Sequence, residues 1–257
     1  MDKRELPIGV FDSGLGGISV LRACTALLPR EDFLFFGDSA NAPYGEKSLE
    51  EVQRLTFQSV EGLIAQGVKA IVVACNTATS AAIALLREKY PDLPIIGIEP
   101  ALKPAALADN SSSILVMATP LTIHEEKYQR LAAAFQDQAS VISLPCPGLA
   151  EMVERGVFEG PELEEYLEEL LLPFRYCKID YLVLGCTHYP FVRRTIRKAI
   201  GQPVNVIDGS YGTARHLWHQ LGSRGLFSER VRPGEVIFRN SLPEKLDMSR
   251  ILFEMEY

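Results

Sequence analysis

The sequence predicts an α/β protein of two similar domains, each a mostly parallel sheet flanked by helices, with the active site in the cleft between them. Three observations carry this. Short apolar runs alternate with amphipathic stretches along the chain. Many of the runs are near-continuously hydrophobic and rich in Val, Ile and Leu, the mark of a strand covered on both faces. And strand-like segments recur in the same order at an offset of about 110 residues, Cys75 answering to Cys186 and Pro94 to Pro203.

Taken in chain order, the buried-strand patterns are "LPIGVFDSG" (6–14), "DFLFFGDS" (32–39), "KAIVVACN" (69–76) and "LPIIGIEP" (93–100). The second set is "SSILVMATP" (112–120), "SVISLPCP" (140–147), "DYLVLGCT" (180–187) and "QPVNVIDG" (202–209). Helical patterns lie between them. "SLEEVQRLTFQSVEGLIAQG" (48–67) opens on a capping box, Ser48 to Glu51, and closes at Gly67. "PELEEYLEELLLPF" (161–174) aligns Leu163, Tyr166, Leu167, Leu170, Leu171 and Phe174 on one stripe, with glutamates opposite. Pro161 suits a first helical position and Pro173 marks the end. Such alternation argues a parallel sheet with helices on both faces. A loop is expected at 108–113.

"AIVVACNT" matches "YLVLGCTH", "LPIIGIEP" matches "QPVNVIDG", and "IGVFDSG" more weakly matches "ILVMATP". Three pairs in one order at nearly constant offset point to an ancient duplication. The expected division is 1–98 plus 208–257 for the first domain, and 99–207 for the second. The end after residue 209 reads as helix-rich without a sheet of its own, packing back on the first domain.

Composition narrows the function. The chain has 257 residues, 47% of them hydrophobic, and a formal charge of -7. A nucleic-acid partner is excluded, because phosphate binding needs a concentrated basic face. The one basic cluster, "RRTIRK" (193–198), fits the solvated side of a helix. "MDKRELPIGV" reads as no targeting segment, and no apolar run is long enough to span a bilayer, so no membrane role is expected. Five cysteines without framework spacing suggest free thiols in a reducing cytoplasm. The four histidines show no metal-ligand spacing, and no metal is expected.

The chemistry gathers at the strand ends, where ligands of doubly wound sheets sit. "DSGLGG" (12–17) lacks a full dinucleotide fingerprint and by itself reads as a turn into a helix. Yet Asp12 and Ser13 stand where they could bind an ammonium group and orient a neighbour. "NAPYGEK" (41–47) reads as a tight loop around Tyr44, or as backbone N–H groups offered to an anion. Cys75 precedes a strong helix that Asn76 or Thr77 would cap, and Cys186 repeats the arrangement, with Pro190 early in its helix. Either cysteine alone reads as an inert buried thiol, and His188 alone as structural. Duplication changes the reading, since it sets two thiols at equivalent ends facing one cleft.

Inverting a stereocentre needs a base on one face and an acid on the other, and two identical groups serve both directions equally. Sulfurs on either side of a carbon would sit roughly 7 Å apart, and two thiolates there would repel by about 2 kcal/mol at an effective dielectric near 20. One shared proton relieves this, so the pair should titrate as a unit. That separation also exceeds disulfide reach. A helix start at each cysteine should lower its pKa toward about 7. Asp12 on one side and His188 on the other are candidate local acid–base partners.

"GVFDSGLGG", "GDSANAPYG", "VACNTAT" and "LVLGCTHYPF" together resemble the cofactor-independent glutamate racemases of bacterial cell-wall synthesis, and the resemblance covers essentially the whole chain. It implies interconversion of L- and D-glutamate with no cofactor, to supply D-glutamate for peptidoglycan. It implies Cys75 and Cys186 as the acid/base pair, Cys75 acting on D-glutamate and Cys186 on L-glutamate. Asp12, Ser13, Tyr44, Gly45, Asn76, Thr77, Thr187 and His188 match substrate-contact positions of the family. "ATPLT" (118–122) is similar to a stretch that places Thr119 or Thr122 near substrate, with Ala118 where the family often has Gly. "CPGLAEMVE" (146–154) resembles a segment ending in a helper glutamate, matched to Glu154. A homodimer is expected, since homodimers are common in proteins of this kind. The alternatives are a related cofactor-independent racemase acting on aspartate or another small acid, a thiol redox sensor, or an amino-acid-binding module without activity.

Overall fold

The computed structural model describes residues 2–108 and 111–257. The loop expected at 108–113 lies partly outside them. Among the described residues, nine strands form two fully parallel sheets. The first contains β1 (Ile8–Asp12), β2 (Phe33–Gly37), β3 (Ala70–Val73), β4 (Ile95–Gly97) and β9 (Val236–Asn240), in the order β4-β3-β1-β2-β9. The second contains β5 (Ser112–Ala118), β6 (Ala139–Pro145), β7 (Tyr181–Leu184) and β8 (Asn205–Asp208), in the order β6-β5-β7-β8. Pairing β1 with β5, β2 with β6, β3 with β7 and β4 with β8 superimposes the two strand orders. The repeat read in the sequence is therefore also a repeat of topology. The expected division at 207/208 falls at the last residue of β8.

Helices cover both sheets. The first half carries α1 (Ile18–Leu27), α2 (Leu49–Ala65), α3 (Asn76–Lys89) and α4 (Leu102–Ala108). Then come α5 (Pro120–His124), α6 (Glu126–Ala133), α7 (Leu149–Glu154), α8 (Pro161–Leu171) and α9 (Arg193–Ile200). The chain closes with α10 (Ser210–Ser223) and α11 (Leu246–Glu254), both packed against α1.

Local chemistry explains the element ends. Ser48 caps α2, its hydroxyl accepting from Glu51 N–H at 3.2 Å, and Gly67 beyond the helix takes φ +79°. Strands β1 and β3 are buried at every residue, as helices on both faces require. Leu163, Leu167 and Leu171 bury one face of α8.

One strand departs from the sequence reading, which gave the end after residue 209 no strand. β9 completes the first sheet by pairing with β2, Val236 opposite Phe33 through Asn240 opposite Gly37. It is an edge strand with alternating exposure, so "VIFRN" lacks the continuous apolar run of its neighbours.

Among the described residues, no helix is long and apolar enough to cross a membrane, and no group of three or more His, Cys, Asp or Glu could hold a metal ion. All five cysteines are free.

Candidate active site

In each sheet the chain runs outward in both directions from a central strand, β1 or β5. Crossovers therefore diverge between β1 and β3, and between β5 and β7, leaving a crevice at the carboxyl ends of those strands. Ser13 and Cys75 follow the first pair; Thr119 and Cys186 follow the second. The two crevices meet in one cavity.

From the first sheet it is lined by Ser13, Tyr44, Gly45, Cys75, Asn76 and Thr77. The second contributes Thr119, Glu154, Cys186, Thr187 and His188. Both cysteines are nearly enclosed, Cys75 at 5% exposure and Cys186 at 7%. Two expected residues stand behind the wall. Asp12 is fully buried, its carboxylate accepting from Gly14 N–H at 2.9 Å and Thr187 Oγ1 at 3.1 Å. Thr122 is also fully buried and bonds to Thr119 Oγ1 at 2.9 Å and Thr77 Oγ1 at 3.2 Å. Asp12 thus orients Thr187 across the sheets, and Thr122 ties the Thr77 and Thr119 hydroxyls together.

Cys75 corrects the capping expectation. Neither Asn76 nor Thr77 caps α3; Cys75 does so itself, its sulfur accepting from Ala78 N–H at 3.4 Å. Asn76 opens the helix and faces the cavity with neither carboxamide atom hydrogen-bonded. A buried amide in that condition costs free energy unless a ligand satisfies it. The helix start does not make Cys75 acidic. Burial, and next the Asp12 carboxylate, push its pKa up to about 12, outweighing the Ser13 hydroxyl and the Ala78 N–H.

Cys186 has different surroundings and corrects the expectation of a helix start at each thiol. A 3₁₀ turn, Tyr189–Val192, follows it, and α9 begins only at Arg193. In place of a helix terminus, His188 Nδ1 lies 3.6 Å from the Cys186 sulfur, and His188 Nε2 lies 2.6 Å from Glu154 Oε1. Burial opposes a charged His188, but the Cys186 sulfur and the Glu154 carboxylate prevail and hold its pKa well above that of ordinary imidazole. Burial likewise opposes a charged Glu154, yet His188 and the Leu15 N–H, at 2.5 Å, leave its pKa below the usual value. Cys186, His188 and Glu154 form a relay along which a proton can move.

The "DSGLGG" turn is what lets this relay approach the first sheet. A Cβ on Gly14 would fall 2.0 Å from Glu154 Oε1, and one on Gly16 would fall 2.5 Å from His188 Nδ1. The glycines are required by contacts with residues far along the chain, a purpose invisible in the local pattern.

Sequence reasoning missed Ala42, Pro43 and Ala150, which complete the lining. It also missed the groups behind it. Asp38 accepts from Tyr44 OH at 2.8 Å, and Ser39 Oγ donates to Glu154 Oε2 at 3.3 Å. Asp38 and Ser39 lie within a quoted motif; nothing local to the apolar Ala150 distinguishes it.

Two parallel sheets that share a four-strand order, with a cysteine from each at a shared cavity, define the class. Residues 8–217 match the Asp/Glu/Hydantoin racemase family, and the chain belongs to it. Among individual relatives, it is 48% identical over 257 residues to a glutamate racemase of Clostridium perfringens, covering 99% of each chain. The structure of glutamate racemase from Francisella tularensis in complex with D-glutamate superimposes with a TM-score of 0.85 at 33% identity, over 98% of this chain and 95% of that one. That of Escherichia coli glutamate racemase, in complex with L-glutamate and the activator UDP-MurNAc-ala, gives 0.83 at 26% identity, over 96% and 95%.

Proposed function

We propose that this chain is a glutamate racemase that moves a proton on and off the α-carbon between Cys75 and Cys186. The single observation that carries the reading is the cavity lined by one thiol from each sheet, beside an unpartnered Asn76 carboxamide. Stereoinversion needs exchangeable protons on two faces of one carbon, and a thiol from each sheet answers that need without a cofactor. The substrate carboxylate fits the N–H groups at the start of α3 and the Thr77, Thr119 and Thr187 hydroxyls. Tyr44 and Gly45 close over it. The substrate ammonium supplies the cation that the Cys75 environment lacks, favouring thiolate over thiol once substrate is bound. Cys186 exchanges its proton with His188, and Glu154 holds the ring. We assign abstraction from D-glutamate to Cys75 and from L-glutamate to Cys186.

The product D-glutamate supplies peptidoglycan synthesis. A cytoplasmic setting and a homodimer belong to the same reading; the free thiols suit the first, and sedimentation velocity measures the second. We propose that residues 1–98 plus 208–257 form one domain and residues 99–207 the other.

Cys75→Ser and Cys186→Ser test the reading. Each should lower racemisation by about a thousandfold or more, while calorimetry still detects glutamate binding. Retained turnover in either variant contradicts it.

A further inference from the structure

We propose that Lys245 is a positioning residue for the Glu154–His188–Cys186 relay, acting from the turn that follows β9. The proposal rests on the racemase reading above.

Glu154 ends α7, and its backbone carbonyl is one of the helix-terminal acceptors that need a partner from elsewhere. Lys245 supplies it, Nζ donating to Glu154 O at 2.5 Å. The ammonium group therefore sits at the negative end of α7, the helix whose last residue carries the carboxylate that orients His188. No other lysine or arginine hydrogen-bonds Glu154 among the described residues.

The carboxylate end of Glu154 is reached from the same stretch of chain. Asn240, the last residue of β9, donates from Nδ2 to Ser39 Oγ at 3.0 Å, and Ser39 Oγ donates to Glu154 Oε2 at 3.3 Å. The turn between these two supports is itself fixed. Leu242 N–H donates to Asn240 Oδ1 at 2.8 Å, Lys245 N–H to Leu242 O at 2.9 Å, and Ser249 Oγ to Lys245 O at 2.9 Å. Residues 240–245 thus grip one glutamate at its backbone and, through Ser39, at its side chain. β9 belongs to the first sheet, and Glu154 to α7, in the connection between β6 and β7 of the second. The grip therefore couples the relay to the opposite side of the cavity.

Charge supports the geometry. Lys245 favours the ionised form of Glu154, as His188 does. The other ionisable groups facing the pair are Cys186 beside His188, Asp12 from β1, and Glu151 on α7 itself, which also meets Glu46. Removing the Lys245 cation should raise the Glu154 pKa and so weaken its support of a protonated His188.

The experiment measures kcat and KM for glutamate against pH in the wild type, Lys245→Met, Lys245→Gln and Lys245→Arg, with thermal melting of each. Lys245→Met and Lys245→Gln should lower kcat about tenfold with KM changed less than about twofold. The acid limb of their profiles should move up by about half a pH unit or more. Lys245→Arg keeps a cation and donors and should restore both kcat and the limb. If Lys245→Met fails to fold, Lys245→Gln, which keeps a polar side chain, carries the comparison. An unmoved limb in a folded neutral variant overturns the proposal, as does a loss that arginine does not rescue. A wild type inactive on glutamate overturns the racemase reading instead, so the two failures are told apart.

Discussion

The two thiols stand at equivalent strand ends of a repeated topology, yet their surroundings differ. Cys75 caps a helix and meets a backbone N–H and the Ser13 hydroxyl, with the Asp12 carboxylate as the charge that most opposes its ionisation. Cys186 has no helix start; it meets an imidazole held by a carboxylate. Duplication explains the matching positions and does not extend to the supporting groups. Two residues beyond Cys75 stands Thr77, whereas two beyond Cys186 stands His188. Under the proposed reading, a symmetric reaction is run by an asymmetric pair: one thiol draws on the substrate's own charge, the other on the His188–Glu154 relay.

The sharpest way to break this comparison is to remove the relay and leave both thiols. His188→Asn should lower kcat/KM by about a hundredfold or more. Because the two enantiomers are equally stable, kcat/KM must fall equally in both directions; an unequal fall would expose an assay error. The same variant has a stability signature. The folded His188 pKa is raised, so its contribution is fully present below the unfolded value of about 6.5 and is lost as pH rises through the folded one. The gap in urea midpoint between wild type and His188→Asn should therefore be largest in mild acid and narrow toward alkaline pH. Glu154, with its lowered pKa, gives the converse: its contribution is present above about 4.3 and is lost as pH falls through the folded value.

A smaller effect is expected at the Gly-rich turn. Gly14→Ala forces a methyl group onto Glu154 and should destabilise the fold by about 1–3 kcal/mol, read by denaturant unfolding. Activity should drop with it, since the displaced carboxylate is the one that holds His188. Smaller again is Thr77→Val, which removes one hydroxyl from the Thr77–Thr119–Thr122 group. It should cost about 0.5–1.5 kcal/mol in glutamate affinity and raise KM with little change in kcat, because it touches binding and not the relay.

Much of this was legible in the sequence because it is local. All eight anticipated strands form, and those buried at every residue, such as β1 and β3, leave continuous apolar runs. The residues after β1, β3 and β7 lie at the cavity or directly behind it, as the strand-end rule requires. What stayed hidden depends on contacts between distant parts of the chain. Nothing near Gly14 announces Glu154, and nothing near Ser39 announces Asn240. β9 was unread because "VIFRN" is alternately exposed and ends in Arg239 and Asn240, leaving no continuous apolar run. The acidity expected of Cys75 was misjudged for the same reason: a strand end before a helix is visible in sequence, whereas the burial that pushes Cys75 to about 12 is a property of the assembled cavity.

The central claim, that two groups handle one proton site, is tested most directly by racemising protiated L-glutamate in deuterium oxide and analysing the first few per cent of turnover. The account predicts D-glutamate that carries deuterium at the α-carbon, formed while the unreacted L-glutamate keeps its protium. D-glutamate that retains the original protium would mean that a single group removes and returns the same hydrogen, and would contradict it.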